Sequence, residues 1–180
     1  MWPWGHAAFG YLLYRALLSA RGSTPTGLPV LALGVGTQFP DLVDKPLAWS
    51  FALLPSGRSL AHSLLTAALV IGVGGAVARR YDRRDVAAAF GVGYLSHLLG
   101  DALLPLVRLD VVFLRFLAWP LVPPPPYERD SSFAEHLVSL EVTPFFAFGL
   151  ALTALAVALW VRDGLPGLGT LAAPLRGWRD

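Results

Sequence analysis

Three long apolar segments constrain this chain more than any other feature of its sequence. Residues 61–78, 86–107 and 142–161 are almost free of charge, and each approaches the length of about 20 residues with which a helix crosses a bilayer. Only 14% of all residues are charged, against about a quarter in a typical soluble domain. The sequence therefore predicts an all-α, polytopic membrane helix bundle.

Shorter apolar segments complete the predicted bundle. Residues 7–20 and 28–39 each read as a short or tilted span, or as a half-span packed against the others. Residues 46–55 and 109–122 contain Trp and are interrupted by Pro or by charge, which favours interfacial loops or re-entrant helices. We expect about five mostly short helices with interfacial segments, in one domain covering residues 1–180.

A basic loop predicts the orientation of these helices. Arg79, Arg80, Arg83 and Arg84 lie between two predicted spans, and such loops remain in the cytoplasm. Tracing the chain backwards through both short segments places the N-terminus outside. We therefore expect an integral protein of the plasma membrane with this orientation.

Composition limits the chemistry. The chain has no cysteine, which excludes disulfides, thiolate metal ligands and cysteine nucleophiles. Any metal would have to bind imidazole or carboxylate groups. The formal net charge of +2 is too small to indicate a nucleic acid partner, and the expected partner is the lipid bilayer.

The ionisable residues within or beside the apolar segments converge on the predicted outer side. They are His6, Asp41, Asp44, His62, His97 and Asp101, joined by Glu135, His136 and Glu141 in the last outer loop. An Asp near the centre of a membrane helix costs about 2.5–3.5 kcal/mol, so it persists where it finds a partner or a function. Because the basic loop alone sets the orientation, the convergence independently indicates a shared site.

The strongest pair is His97 and Asp101. Their i,i+4 spacing puts them on one helix face, where both can reach one ligand. The alternative is that Asp101 pairs with Arg15, Arg58 or Arg108, and that His97 hydrogen-bonds a backbone carbonyl.

The other candidates also have two interpretations. His62, at the start of an apolar segment, is either a ligand or an interfacial histidine. Asp41 is favoured as a ligand over a helix cap, whereas Asp44 is either a ligand or a loop charge paired with a base such as Arg58. His6 follows a pair of interface-type tryptophans and by itself indicates little.

Four short motifs resemble a known family. In chain order they are His6-Ala7-x-x-Gly10, Pro40-Asp41, His62-Ser63 and Ser96-His97-x-x-x-Asp101. Together they resemble the YdjM-like family of membrane-bound metal-dependent hydrolases, described as LexA-regulated in bacteria, over roughly residues 4–104. That family is distantly similar to zinc-dependent phospholipase C, an all-helical enzyme with His and Asp ligands.

The resemblance implies a set of metal ligands. They are His6, Asp41, His62, His97 and Asp101. Zinc is the expected metal, and manganese or iron suits the same ligand types. The chain departs from the family pattern at Gly57, where members often have His, and at Asp44, where their second acid lies closer to the Pro-Asp pair.

A metal held in this way would support hydrolysis. A bound divalent cation lowers the pKa of a water molecule and polarises a phosphoryl or carbonyl oxygen. Asp41 or Asp101 would complete the metal shell while another carboxylate acts as base, and Arg58 would neutralise a phosphate. The predicted function is a metal-dependent hydrolase, a phosphoesterase or an esterase of lipid-linked substrates, acting at the membrane face.

Two other functions are compatible with the same residues. One is a non-catalytic membrane protein with a structural metal site, and the other is a small transporter with a proton or cation relay. A Ser-His-Asp hydrolase using Ser63 or Ser96 is disfavoured, because neither serine lies in a Gly-x-Ser-x-Gly turn.

Overall fold

Helices make up the fold. The structure, a computed structural model, describes residues 1–126, 138 and 141–171, and in this part of the chain there are helices and no strands. The α-helices are α1 (Pro3–Ser19), α2 (Gly27–Lys45), α3 (Leu64–Arg80), α4 (Arg84–Val107) and α5 (Pro144–Arg162). Among them α4 and α5 are long and apolar enough to cross a membrane. The prediction of an all-α bundle of about five helices is confirmed.

Local sequence explains where several helices begin. Pro3 and Pro144 occupy the first turns of α1 and α5. There the backbone N–H that proline lacks would have no acceptor within the helix. The Ser63 hydroxyl accepts a hydrogen bond from the Leu65 N–H at 3.1 Å and caps α3, and the Thr143 hydroxyl caps α5 in the same way. These starts lie within a few residues of the predicted boundaries, except that α1 already begins at Pro3.

The predicted end of the second helix was wrong. The sequence suggested that the segment stops at residue 39, before Pro40-Asp41, but α2 continues through both residues to Lys45. Within a bundle, neighbouring helices support a helix that contains proline. Asp41 and Asp44 are accommodated because Lys45 and His62 contact their carboxylates.

Glycines bring α2 and α4 unusually close. A Cβ atom at Gly36 would overlap the carbonyl oxygen of Phe90, and one at Gly93 would overlap the carbonyl oxygen of Leu33. Small residues allow such close backbone approach between membrane helices. The contact sets the C-terminal half of α2, with its acids, directly against the histidine-bearing turn of α4.

The segments expected at the interface form short helical turns. Pro46–Ser50 is a π-helical turn directly after α2, and Val111–Ala118 is a 3-10 helix that follows α4. Both therefore lie near the end of the bundle where α2 and α4 stop. The polar loop 127–135, with Glu135, and His136 lie outside the described residues.

A polar contact joins α1 to α5 at the opposite end. Arg15 Nε lies 2.7 Å from Asp163 Oδ2, and the Tyr11 hydroxyl donates to the same oxygen at 2.7 Å. Arg15 is therefore a partner of Asp163 and not of Asp101. Helix α5 packs mainly on α1 and leaves much of its apolar surface exposed, as expected of a helix that faces lipid.

Candidate metal centre

The structure brings all five ligand candidates together at one end of the bundle. His6 comes from α1, Asp41 from α2, His62 from the loop before α3, and His97 and Asp101 from α4, and all are buried. Two overlapping groups have potential ligand atoms within 4.8 Å of one another. One group is His62, His97 and Asp101, and the other is His6, Asp41 and His97.

Hydrogen bonds orient His62 and His97 so that the same atom of each ring is available. His97 Nδ1 lies 2.7 Å from the Thr37 carbonyl oxygen, and His62 Nδ1 lies 2.8 Å from Asp44 Oδ2. Both acceptors require an N–H donor, so each Nδ1 carries the proton in the neutral ring. Each Nε2 is then left with a lone pair, as in metal sites whose histidines donate their other nitrogen to an oxygen.

The two Nε2 atoms face each other inside a ring of oxygens. They are 3.1 Å apart. Asp41 Oδ1 lies 3.5 Å from His62 Nε2 and 3.8 Å from His97 Nε2, and Asp101 Oδ2 lies 3.6 and 3.9 Å from the same atoms. Two lone pairs at this separation require a cation between them, either a proton or a metal ion. Two imidazoles with two carboxylates form a donor set that suits zinc.

The carboxylates also control the proton on His62. Asp44 Oδ2 lies 2.8 Å from His62 Nδ1, and Asp41 Oδ1 and Asp101 Oδ2 lie 3.5 and 3.6 Å from His62 Nε2. In the metal-free protein, a proton on Nε2 would be stabilised by the same two carboxylates that would stabilise a cation. A metal ion entering the cluster would displace that proton.

His6 provides a further test of whether the cluster fits a metal. Its ring stacks on His97 with centroids 3.8 Å apart, and its Nε2 lies 3.2 Å from Asp101 Oδ1. That approach lacks hydrogen-bond geometry, and neither nitrogen of His6 has a hydrogen-bond partner among the described residues. A buried polar atom without a partner costs about 1–3 kcal/mol. A divalent cation would satisfy one of these nitrogens, so the residues present fit such an ion.

Cationic groups neutralise the two candidate carboxylate ligands. Arg58 Nε lies 2.7 Å from Asp101 Oδ2, the α-amino group of Met1 lies 2.6 Å from Asp101 Oδ1, and Lys45 Nζ lies 2.6 Å from Asp41 Oδ2. Of the three arginines considered for Asp101, the structure selects Arg58. The alternative interpretation predicted that Asp101 pairs with an arginine and that His97 hydrogen-bonds a backbone carbonyl. Both contacts are present, and the ligand candidates converge as well.

Asp44 has a role that the sequence analysis did not identify. It contacts neither Arg58 nor the centre of the cluster within the described part of the chain. Its carboxylate accepts hydrogen bonds from the backbone N–H groups of Ser59 and Ala61, each at 2.8 Å. It also orients the His62 ring through the contact with Nδ1. The i,i+3 spacing of Asp41 and Asp44 places them on one helix face, but only the folded loop shows that Asp44 holds residues 59–62 in place.

The remaining candidates have structural partners. Ser63 caps α3, and the Ser96 hydroxyl donates to the Gly93 carbonyl oxygen at 2.8 Å, so both act in local structure. Gly57, where the resemblance expected His, lies beside Lys45 and Trp49, and a Cβ atom there would approach Lys45 Cγ to 3.3 Å. Lys45 therefore lies close to the point where the side chain of a histidine at position 57 would start.

Comparison with known proteins agrees with this architecture. A family model described as YdjM inner membrane protein matches residues 1–165. The chain belongs to the YdjM inner membrane protein family. No curated protein and no solved structure matches the chain.

Family membership identifies the environment of the helices as a membrane. The match includes α5, beyond the residues 4–104 that carried the motif resemblance. This YdjM family member is therefore a membrane protein, which fits a plasma-membrane location, and its buried His and Asp groups could hold a metal ion. The bilayer is the medium around its exposed apolar helix surfaces.

Proposed function

We propose that this protein is a membrane-embedded hydrolase that depends on a divalent cation, most suitably zinc, and that acts on a phosphoester or a lipid-linked ester. The observation that carries the proposal is the pair of Nε2 atoms of His62 and His97, 3.1 Å apart and surrounded by two buried carboxylates. We also propose, from the positive-inside rule, that this end of the bundle faces the outer side of the membrane.

The hydrogen bonds favour one cation at a time. Both candidate groups include His97, whose Nδ1 donates to the Thr37 carbonyl and leaves Nε2 as its single available lone pair. His62 is restricted in the same way by Asp44. A cation between the two Nε2 atoms would be held by His62, His97 and Asp101, and one of the unpartnered nitrogens of His6 would complete its shell, with Asp41 beside it.

The residues around the cation would divide the work of hydrolysis. The cation supplies electrostatic activation of water and polarisation of the scissile ester. Among the described residues, Lys45 binds Asp41 Oδ2 and no Lys or Arg contacts Asp41 Oδ1, whereas Arg58 contacts both oxygens of Asp101. Asp41 is therefore the better proton acceptor. Asp101 would be the ligand because it is the carboxylate grouped with both facing histidines, and a bound cation would compete with Arg58 for it.

The charges at the rim support an anionic substrate. The side chain of Arg58 is 35% exposed, and that of Lys45 is 14% exposed, so both extend from the buried cluster towards the surface. Guanidinium and ammonium groups bind phosphate oxygens well. Because the cluster belongs to a membrane-embedded bundle, a phosphoester carried by a lipid is the substrate class we favour.

The relay alternative has less support. A relay requires polar groups that continue through the bundle, but the cluster borders a buried core formed by Ala67, Tyr94 and Leu98. Tyr94 is the polar member, and its hydroxyl donates to the Ala61 carbonyl oxygen, back towards the cluster.

The proposal is tested first by metal content. We expect detergent-purified parent protein to hold about one zinc or manganese ion per chain by mass spectrometry, and His62→Ala and His97→Ala to lose at least nine-tenths of it. Ser96→Ala is the matched control, because Ser96 is equally buried and adjacent to His97 but bonds only the Gly93 carbonyl in the described structure. Equal metal in parent and histidine variants would remove the metal proposal.

Hydrolysis is tested separately. A screen of phosphodiesters and phospholipids in detergent should show activity that chelator removes and that added metal restores. Asp41→Asn should lower turnover by at least a hundredfold while retaining most of the metal. Metal without activity across the screen would instead support the structural-site alternative.

A further inference from the structure

A groove on the outer surface of the bundle is separate from the metal centre. It lies between α1, α2 and α5, with a volume of about 280 Å³. The residues that line it include the small residues Ala7, Ala8, Gly34 and Ala156. Trp4 lies at the end nearer the metal centre, and Trp160 lies at the other end. The groove therefore lies between two interface-type residues.

Three of the four polar side chains that line the groove are bonded within the protein, and the fourth, Trp4, lies at its end. The Thr153 hydroxyl donates to the Gly149 carbonyl at 2.8 Å, the Trp160 indole N–H donates to the Pro166 carbonyl at 3.0 Å, and the Tyr11 hydroxyl donates to Asp163. The groove therefore presents an apolar wall to whatever fills it. An occupant with hydrogen-bonding groups along its length would lose their hydration without gaining partners.

We propose that this groove binds one acyl chain of a membrane lipid. The protein belongs to an inner membrane protein family. Helix α5 forms one wall of the groove and is exposed over most of its surface, so the groove opens to the bilayer. A hydrocarbon chain matches this mostly apolar lining, in which Tyr11, Thr153 and Trp160 already donate to protein oxygens. Because the acyl chain leaves one apolar medium for another, the gain in free energy comes from packing against the protein and not from release of water.

Gly34 permits a direct test by filling the groove. A Cβ atom at Gly34 would meet no atom within 4 Å, so a side chain can begin there without contact with a neighbouring helix. Gly74 on α3 is the matched control, because it is also an exposed helical glycine with open space around its Cβ, and it lies outside the groove. Gly34→Phe and Gly74→Phe thus add the same side chain to two lipid-facing helices.

The measurement is lipid retained by the purified protein in native mass spectrometry. We expect the parent and Gly74→Phe to retain one phospholipid per chain after mild detergent exchange, and Gly34→Phe to retain at least tenfold less. Ala7→Phe, which fills the same groove from an exposed position on α1, should lose the lipid as well and guards against misfolding of one variant.

Two outcomes would overturn the proposal. One is equal lipid retention, including none, in the parent and both groove variants. The other is a parent dimer that Gly34→Phe or Ala7→Phe separates into monomers, which would identify a second copy of the chain as the occupant. Neither outcome depends on whether the His and Asp cluster binds metal.

Discussion

At the scale of single residues, the site depends on which nitrogen of each histidine is free. Thr37 and Asp44 accept from Nδ1 of His97 and His62, so both Nε2 lone pairs point to one place. The histidines themselves could be predicted from the sequence as ionisable residues in apolar surroundings. Their orientation could not, because a backbone carbonyl supplies one partner and an acid eighteen residues away supplies the other.

Arg58 competes with the proposed metal for Asp101, and it is also a proposed substrate-binding group. Its guanidinium contacts both oxygens of Asp101, at 2.7 and 3.3 Å. Removing this charge should make the cluster more attractive to a cation. We therefore expect Arg58→Gln to bind zinc about three- to tenfold more tightly by isothermal titration, while hydrolysis of an anionic ester becomes at least tenfold slower.

The opposite signs of the two effects make this test selective. Arg115→Gln, on the 3-10 helix, is the control and should change neither quantity appreciably. If Arg58→Gln weakened zinc binding, Arg58 would be supporting the ligands instead of competing for Asp101.

At the scale of elements, the contact between α2 and α4 builds the site. Gly36 and Gly93 let the two backbones approach so closely that Thr37 and Asp41 meet His97 and Asp101. The apolar segments indicated that these helices exist, but hydropathy does not say which helices contact each other. The close approach depends on complementary glycines in two segments that are distant in the sequence.

A single methyl group should disturb this contact. We expect Gly93→Ala to destabilise the protein by about 1–3 kcal/mol, because its Cβ would overlap the Leu33 carbonyl, and to lower the melting temperature by roughly 4–10 °C. Gly74→Ala, with open space at its Cβ, should leave the melting temperature unchanged or raise it slightly. Similar melting temperatures for the two variants in the same detergent would contradict the proposed role of Gly93.

The contact between α1 and α5 predicts a pH dependence. The Arg15 guanidinium, followed by the Tyr11 hydroxyl, lowers the pKa of the Asp163 carboxyl against the opposing effect of burial. A lowered folded pKa means that the stabilisation is present above the ordinary value of about 3.9 and is lost as the pH falls through the folded pKa.

Asp163→Asn tests that dependence. At pH 7 it should lower the melting temperature by roughly 1–4 °C, since partly exposed ion pairs contribute little. The difference from the parent should shrink as the pH falls below about 4. Asp82→Asn, in the exposed loop between α3 and α4, serves as control. A difference that stays constant down to pH 3 would show that the Asp163 charge is not responsible.

At the scale of the whole molecule, the direction of the helices places the basic turn and the candidate metal centre at opposite ends of the bundle. The metal-centre candidates lie where α2 and α4 end, and the basic turn between α3 and α4 lies at the opposite end. The positive-inside rule then predicts that the cluster faces outwards.

Single cysteines can test this orientation, because the natural chain has none. We expect Glu141→Cys, just before α5, to react with a membrane-impermeant maleimide in intact cells. Tyr81→Cys, 73% exposed in the basic turn, should react only after the membrane is permeabilised. Labelling of both in intact cells, or of neither, would contradict the predicted topology.

The sequence by itself determined that this chain is a membrane bundle of about five helices with its candidate His and Asp ligands at one end, because hydropathy and charge act locally along each segment. It also indicated the histidines and acids, since such residues are costly in apolar surroundings unless they have partners. Only the tertiary structure decided that α2 continues through Pro40, that Asp44 holds His62, and that Arg58 is the arginine on Asp101. Those outcomes depend on distances between separate helices and loops, and no periodicity within one segment encodes them.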